Sequence, residues 1–429
     1  MTHQEIRKKF LDFFEKRGHK IIPSSLLVPE DKSVLFTTAG MQQFKKYYLD
    51  NDSPYGNKIA SIQKCLRTVD IDEVGDESHL TFFEMLGNFS FKFPEAKDSY
   101  FKKEAIKHSY DLIVNDFGVP LRRIKISVFK GDDKNDISID QESLEIWKSL
   151  GIPEEKIFFG EIKDNFWGPT GEEGPCGPTT EIHIDGIEVW NIVFNEYYCN
   201  KEKHLIPLQR KGVDTGMGLE RLVMVLQGSK SVFETDLFSP IITELRNKNL
   251  YDYQSNQKFE RIISDHLKAG VFVISDGVMP SNLGRGYILR KLIRKIMRHS
   301  KKLNLHDDFL QRSVKTIINI YKEYYPDLEK NEEKVLEVFN EEFQKFEKLL
   351  SREIPKIEKD VEEFKNKGYK FIPGAYVFNT QSSIGVGVEI VQDIAKEKGM
   401  EINMEEVKKE EEKHKKVSRV SQDKKFIKL

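Results

Sequence analysis

Three stretches of this chain combine residue types that could do chemistry together. In the first, Arg67 ends an apolar run, a polar loop of about a dozen residues follows, and an aromatic run opens after His79, a pattern that predicts an antiparallel strand pair with Arg67 and His79 at its open end. If Thr81 to Leu86 is extended, a period of two sends Phe83 and Met85 to one face and Phe82, Glu84 and Leu86 to the other. One face then carries a cation beside an aromatic plane. That pair suits a nucleotide, with guanidinium on phosphate and a ring against the base. A hairpin whose phenylalanines are only core is the competing reading. In the second stretch, Glu188 to Asn195 reads as a strand with Trp190, Ile192 and Phe194 on a core face. Val189, Asn191, Val193 and Asn195 share the other, a mixture of small apolar and amide groups expected beneath a small polar substrate. In the third, Asp214 ends a short strand, and Gly216-Met-Gly218 turns into an amphipathic helix beginning near Leu219, with Leu222, Val223 and Leu226 inward. A carboxylate at Asp214 can hold an ammonium group. Arg221, in the first helical turn, adds its charge to the positive helix end, where phosphates bind.

The elements that must position these groups are legible in part. Thr2-His-Gln-Glu5 has the form of a capping box, and Ile6, Phe10, Phe13 and Phe14 share one face, predicting a helix over residues 3–17 that ends at Gly18. The run Lys130 to Gln141 reads as a surface turn, and Asp164-Asn-Phe-Trp-Gly followed by Gly171-Glu-Glu-Gly-Pro-Cys-Gly-Pro178 as a tight irregular loop rather than helix or strand. From about Thr235 the patterns are long and helical. In Ser281 to His299 one stripe is apolar (Ile288, Leu289, Leu292, Ile293, Ile296, Met297) and the other basic (Arg290, Lys291, Arg294, Lys295, Arg298), the best candidate nucleic-acid surface in the chain. Leu336 to Phe364 predicts a helical pair or one helix kinked at Pro355, and Glu405 to Lys416 a solvated helix of mixed charge.

Composition narrows the class. With 429 residues, 32% charged and 38% hydrophobic, the chain has room for two or three cored domains, and its net charge of −2 selects no partner. No apolar run approaches the roughly 18 residues of a membrane span and the first residues do not read as a signal segment, so a cytoplasmic protein is expected. Cys65, Cys176 and Cys199 form no Cys-x-x-Cys pair, and Cys176, His183, Cys199 and His204 have the spacing of no common metal site.

Arg67 with His79-x-x-x-Phe83 resembles motif 2 of class II aminoacyl-tRNA synthetases. The segment Thr81-Phe-Phe-Glu-Met-Leu-Gly-Asn-Phe-Ser-Phe91 resembles their alanyl members in particular, and Val213-Asp-Thr-Gly-Met-Gly-Leu-Glu-Arg221 resembles motif 3. The similarity runs in order from about Glu5 onward. It implies an α+β fold, a class II antiparallel sheet flanked by helices (residues 1–235), followed by an all-helical tRNA-recognition domain (236–429). It also implies activation of alanine with ATP and Mg²⁺ and its transfer to the acceptor stem of tRNA(Ala). By the same resemblance Arg67, His79, Phe83 and Arg221 bind ATP, with Arg67 and Arg221 acting in catalysis. Met41, Trp167, Asn191, Val193 and Asp214 hold alanine, and Glu188 is a candidate Mg²⁺ ligand. Asn282 and Ser382 occupy the positions that read a G·U pair, and Arg290, Arg294 and Arg298 complete the tRNA surface. The loop after Arg67 lacks the Gly-Gly-Lys-His insert common in bacterial relatives, and Thr380-Gln-Ser-Ser-Ile-Gly385 puts Ser382 where the family has Asp. The sequence reaches Leu429 where an editing domain would begin, so a monomer assisted by a separate editing protein is expected. A paralogue charging a different carrier, and a non-catalytic tRNA-binding regulator, are the rival readings.

Overall fold

A computed structural model describes residues 1–49, 51–410 and 412–413. The end of the expected tail helix, and the last residues Lys425 to Leu429, lie outside them. The chain divides into two compact units, one of Met1–Gly277 with Leu305–Glu332, the other of Val278–Asn304 with Glu333–Leu429.

The first unit is built on a sheet of strands β1 (Lys20–Ile21), β2 (Lys58–Leu66), β3 (Phe82–Phe93), β4 (Ile124–Phe129), β5 (Ile157–Gly160), β6 (Phe166–Trp167), β7 (Gly174–Ile184), β8 (Ile187–Cys199) and β9 (Leu205–Gly218). Their order is β1-β2-β3-β9-β8-β7-β4-β5, with β6 paired to β7. The pairs β1–β2 and β4–β5 are parallel and the rest antiparallel. Alternation in β3 follows the predicted pattern: Phe82, Glu84 and Leu86 are fully buried on the helix-covered face, while Phe83 and Met85 are half-buried on the other. The first helix, His3–Glu15, opens with the capping box: Thr2 Oγ1 accepts from the Glu5 N–H at 3.2 Å and the Glu5 carboxylate accepts from the Thr2 N–H at 2.8 Å. Its Ile6, Phe10 and Phe14 are fully buried.

Two expectations need correction. The Gly/Pro-rich segment ending at Pro178 is not an irregular loop throughout: Ile162–Asn165 is a helical turn, and Gly174 onward is the start of β7. Glycine is required there, since a Cβ on Gly177 would lie 1.8 Å from the Phe194 carbonyl oxygen of β8, and the register shifts between Cys176 and Thr179 so that the prolines are accommodated. The boundary expected after residue 235 also differs from the division into units, because the Gln257–Ser275 helix packs on the sheet. Its Phe272 stacks on Phe82 with centroids 4.1 Å apart, and Asp276, just beyond it, binds the Lys64 ammonium at 2.7 Å and the Leu27 N–H at 2.6 Å.

In the second unit the helices Gly284–Lys302, Glu332–Arg352, Ile354–Asn366, Gly374–Asn379 and Val388–Glu397 supply a core that includes Met297, Phe346, Ile357, Val361, Ile390 and Ile394. Of the two alternatives for Leu336 to Phe364, the helical pair is formed, with Pro355 in the first turn of its second helix. The unit is helical but not wholly so, as Phe371–Ile372 and Glu401–Ile402 pair as short parallel strands.

Candidate active site

The half-buried face of β3, with β8 and β9, floors a cleft of about 210 Å³ bounded by Arg67, Asp70, His79, Phe83, Trp167, Glu188, Asn191, Val193, Asp214 and Arg221 among others. Its cationic end is made by the hairpin. Cys65 of β2 is opposite Phe83 of β3, which brings Arg67, one residue beyond the end of β2, over the Phe83 ring with its guanidinium carbon 4.9 Å from the centroid. Arg67 Nε donates to the Thr38 carbonyl at 3.4 Å, and the guanidinium has no carboxylate within salt-bridge distance among the described residues. Asp76 fixes the loop between: its carboxylate accepts from the N–H groups of Ser78 (3.0 Å) and His79 (2.8 Å) and meets the His79 Nδ1, which orients the imidazole. Arg221 enters from the Leu219–Gln227 helix, whose N-terminus at Gly218 has no side-chain cap. Its Nη1 donates to the Glu188 carbonyl at 3.1 Å and to the Glu188 carboxylate at 3.3 Å. Unpaired guanidinium donors and uncapped helical N–H groups together form an anion site.

The other end carries a buried carboxyl. Val193 and Asp214 are opposite one another on β8 and β9, as are Asn191 and Gly216. Asp214 lies within β9 and not at its end, is 4% exposed, and makes no side-chain hydrogen bond or ion pair among the described residues. Burial pushes its carboxyl up to about 8. Asn191 Nδ2 donates to Glu181 Oε1 at 3.0 Å, and Glu181 Oε2 accepts from Ser127 Oγ at 2.9 Å and contacts His183 Nε2 at 3.0 Å. A carboxylate only accepts, so this contact fixes the amide with its Oδ1 turned elsewhere, and that oxygen has no partner among the described residues. A buried carboxyl without a cation and an amide oxygen without a donor are complementary to an ammonium group. Trp167 walls this end from β6, held by pairing to Gly177.

Met41 does not border the cleft. It is fully buried in the apolar cluster with Phe44, Tyr48, Phe89 and Phe91, against which Met85 and Trp167 pack, so it supports the wall from behind. Glu188 is at the cleft, engaged by Arg221. Asp70 was not anticipated: it is a half-buried cleft residue whose carboxyl is raised by burial against the pull of Arg67, His79 and Arg221. Only its place in the polar loop between Arg67 and His79 could have flagged it.

In the second unit Asn282 and Ser382 are exposed. The basic stripe is not a free phosphate surface. Arg290 and Arg294 share Glu342, with Nε to Oε1 distances of 3.0 and 3.3 Å. Arg298 is 4% exposed and bidentate to Glu397 at 2.9 and 2.8 Å, and Lys295 meets Asp393 at 3.1 Å. Arg290 also donates to the Asn282 side-chain oxygen, and Arg294 Nη1 to the Gly385 carbonyl at 3.3 Å. The arginines thus brace the two segments that carry Asn282 and Ser382.

The alanine–tRNA ligase of Treponema denticola is 39% identical over an alignment covering 99% of this chain and 74% of that protein. The alanine–tRNA ligase of Borreliella afzelii (strain PKo) is 40% identical with the same coverages, and that of Thermotoga sp. (strain RQ2) is 40% identical, with 98% of this chain matched to 50% of that one. Residues 5–429 match the family described as tRNA synthetases class II (A), and the chain belongs to it.

Proposed function

We propose that this chain activates alanine with ATP, giving alanyl-adenylate and pyrophosphate, and transfers the alanyl group to the acceptor end of tRNA(Ala). The observation that carries the substrate assignment is the Asp214 carboxyl, buried and unpaired at one end of a cleft that has Arg67 and Arg221 at the other. Asp214 and the Asn191 amide oxygen hold the amino acid's ammonium group, and Val193 with Trp167 leaves room for a methyl-sized side chain. The substrate carboxylate then faces the α-phosphate. Attack forms the mixed anhydride and expels pyrophosphate. Arg67 stabilises charge on the reacting phosphate, Phe83 carries the base on the face that Arg67 leaves open, and His79 and Arg221 receive the remaining phosphates.

ATP enters with Mg²⁺, which neutralises phosphate charge. Such an ion keeps most of its shell from phosphates and water and takes one or two protein carboxylates. Glu188 fits that need, being at the cleft, 40% exposed at its side chain and beside Arg221. For the tRNA, Asn282 and Ser382 meet the minor groove of the acceptor stem, which is wide enough for side chains. Arg290 and Arg294 hold those segments in place, and Arg298 serves the core. Alanine-dependent ATP–pyrophosphate exchange, followed by charging of total tRNA, tests the assignment. Exchange that prefers another amino acid, or charging of no tRNA, refutes it.

A further inference from the structure

Glu220 stands immediately before Arg221, borders the cleft, and is 1% exposed. A carboxylate beside a phosphate site works against phosphate binding unless it is held elsewhere. Here both oxygens are engaged on the side away from the cleft: Oε1 accepts from Lys268 Nζ at 3.0 Å and Oε2 from the Glu84 N–H at 3.1 Å. Lys268, in the Gln257–Ser275 helix, is fully buried, with its ammonium over the rings of Phe238 at 4.1 Å and Phe82 at 5.2 Å. The Glu84 carboxylate accepts in turn from Arg7 Nε at 3.0 Å and from the Tyr325 hydroxyl at 2.9 Å. Two buried cations therefore balance two buried anions behind the floor of the cleft, and Lys268 is the cation that faces Glu220.

We propose that Lys268 is a positioning residue for the nucleotide site: it holds the Glu220 carboxylate turned away from the space that phosphates occupy, so that Arg221 and Arg67 meet them without a further carboxylate beside Glu188 and Asp70. Without Lys268, Glu220 keeps one N–H donor in apolar surroundings, and the cleft it borders is its nearest route to solvent and to two guanidinium groups. A carboxylate turned into the cleft occupies those cations and repels the incoming triphosphate.

The inference rests on the ATP-dependent reading above, so its first readout is ATP binding by titration calorimetry, apart from catalysis. Lys268→Met weakens ATP binding by about tenfold or more, while the KM for alanine in exchange stays within about twofold. Adding Glu220→Gln to that variant restores ATP affinity to within about threefold of the unaltered protein, because the competing charge is gone. A merely structural role for Lys268 lowers the active fraction and the melting temperature without changing the ATP affinity of the molecules that remain folded, and that result overturns the proposal. So does a double variant that binds ATP no better than Lys268→Met. Where Lys268→Met does not fold, Lys268→Gln keeps a donor to Glu220 but not the charge: an unchanged ATP affinity agrees with a hold that is retained, and a weakening that Glu220→Gln does not reverse is equally fatal. An unaltered protein that binds ATP but shows no alanine-dependent exchange refutes the functional reading and leaves this inference to be judged on ATP binding.

Discussion

Val193 and Asp214 are opposite partners on the β8–β9 ladder, so in the proposed function one pair of adjacent strands sets both the size of the amino-acid pocket and the position of its carboxyl. The Asp214 carboxyl is raised to about 8 by burial alone, which means it is largely protonated in the free protein at neutral pH. Binding of an ammonium group requires the ionised form. The KM for alanine is therefore expected to rise as pH falls below about 8, approaching tenfold per unit, with one proton released on binding at pH 7. Asp214→Asn flattens that profile and weakens alanine binding by about 1.5 to 3 kcal/mol, the worth of a charge-assisted hydrogen bond. A steep profile that survives in the Asn variant assigns the titration to another group.

The same group acts on stability with a definite sign. The native state holds a proton at Asp214 up to about pH 8, whereas an unfolded aspartate loses it near 3.9. This contribution is complete below the unfolded value and is lost as pH rises through the folded one. Asp214→Asn should raise the melting temperature, with the gain greater at pH 9 than at pH 5. Denaturation measured at both values checks it, and a larger gain at pH 5 contradicts the assigned burial effect.

In the proposed function Arg67 stabilises the reacting phosphate, and its guanidinium lies over the Phe83 ring with its carbon 4.9 Å from the centroid. Arg67→Ala should reduce exchange by about 2.7 to 4 kcal/mol of transition-state stabilisation, as for loss of an oxyanion donor, with the melting temperature little changed. Lysine at this position restores only part, because a point charge replaces a fork that presents several donors. Near-normal exchange in a folded Ala variant removes Arg67 from the mechanism.

The hairpin, the alternation of β8 and the turn into the Leu219–Gln227 helix were readable because each depends on local period and spacing. Met41 misled because a methionine behind a wall and one in it have the same sequence. The basic stripe misled for a nonlocal reason: its neutralising acids, Glu342, Asp393 and Glu397, lie roughly 50 to 100 residues away, and i,i+4 reasoning cannot see them. Asp70 escaped because a polar loop gives no period from which orientation can be read.

Arg298 offers a direct test of the corrected reading. Since it is 4% exposed and paired to Glu397, Arg298→Met should lower the stability of the helical unit by about 2 kcal/mol and leave the salt dependence of tRNA binding unchanged. A slope of log K against log salt that falls by about one, at unchanged stability, returns Arg298 to the phosphate contacts.

Discrimination among small amino acids is the hardest demand on the cleft. Glycine differs from alanine by one methyl, which a pocket walled by Val193 and Trp167 converts into about 1 to 3 kcal/mol at most. Serine adds one hydroxyl, and a small apolar wall rejects such a group by only about a hundredfold. Pyrophosphate exchange with serine and with glycine should therefore be measurable, each about 10- to 200-fold below alanine in kcat/KM. Val193→Ala enlarges the pocket and should narrow the gap for serine more than for glycine, because only the larger side chain uses the added space. Exchange with each amino acid, in the original protein and the variant, decides it. Rejection of serine by more than about 10⁴ in the activation step would show that the wall is built to exclude a hydroxyl, and that Val193 and Trp167 are not what sets its size.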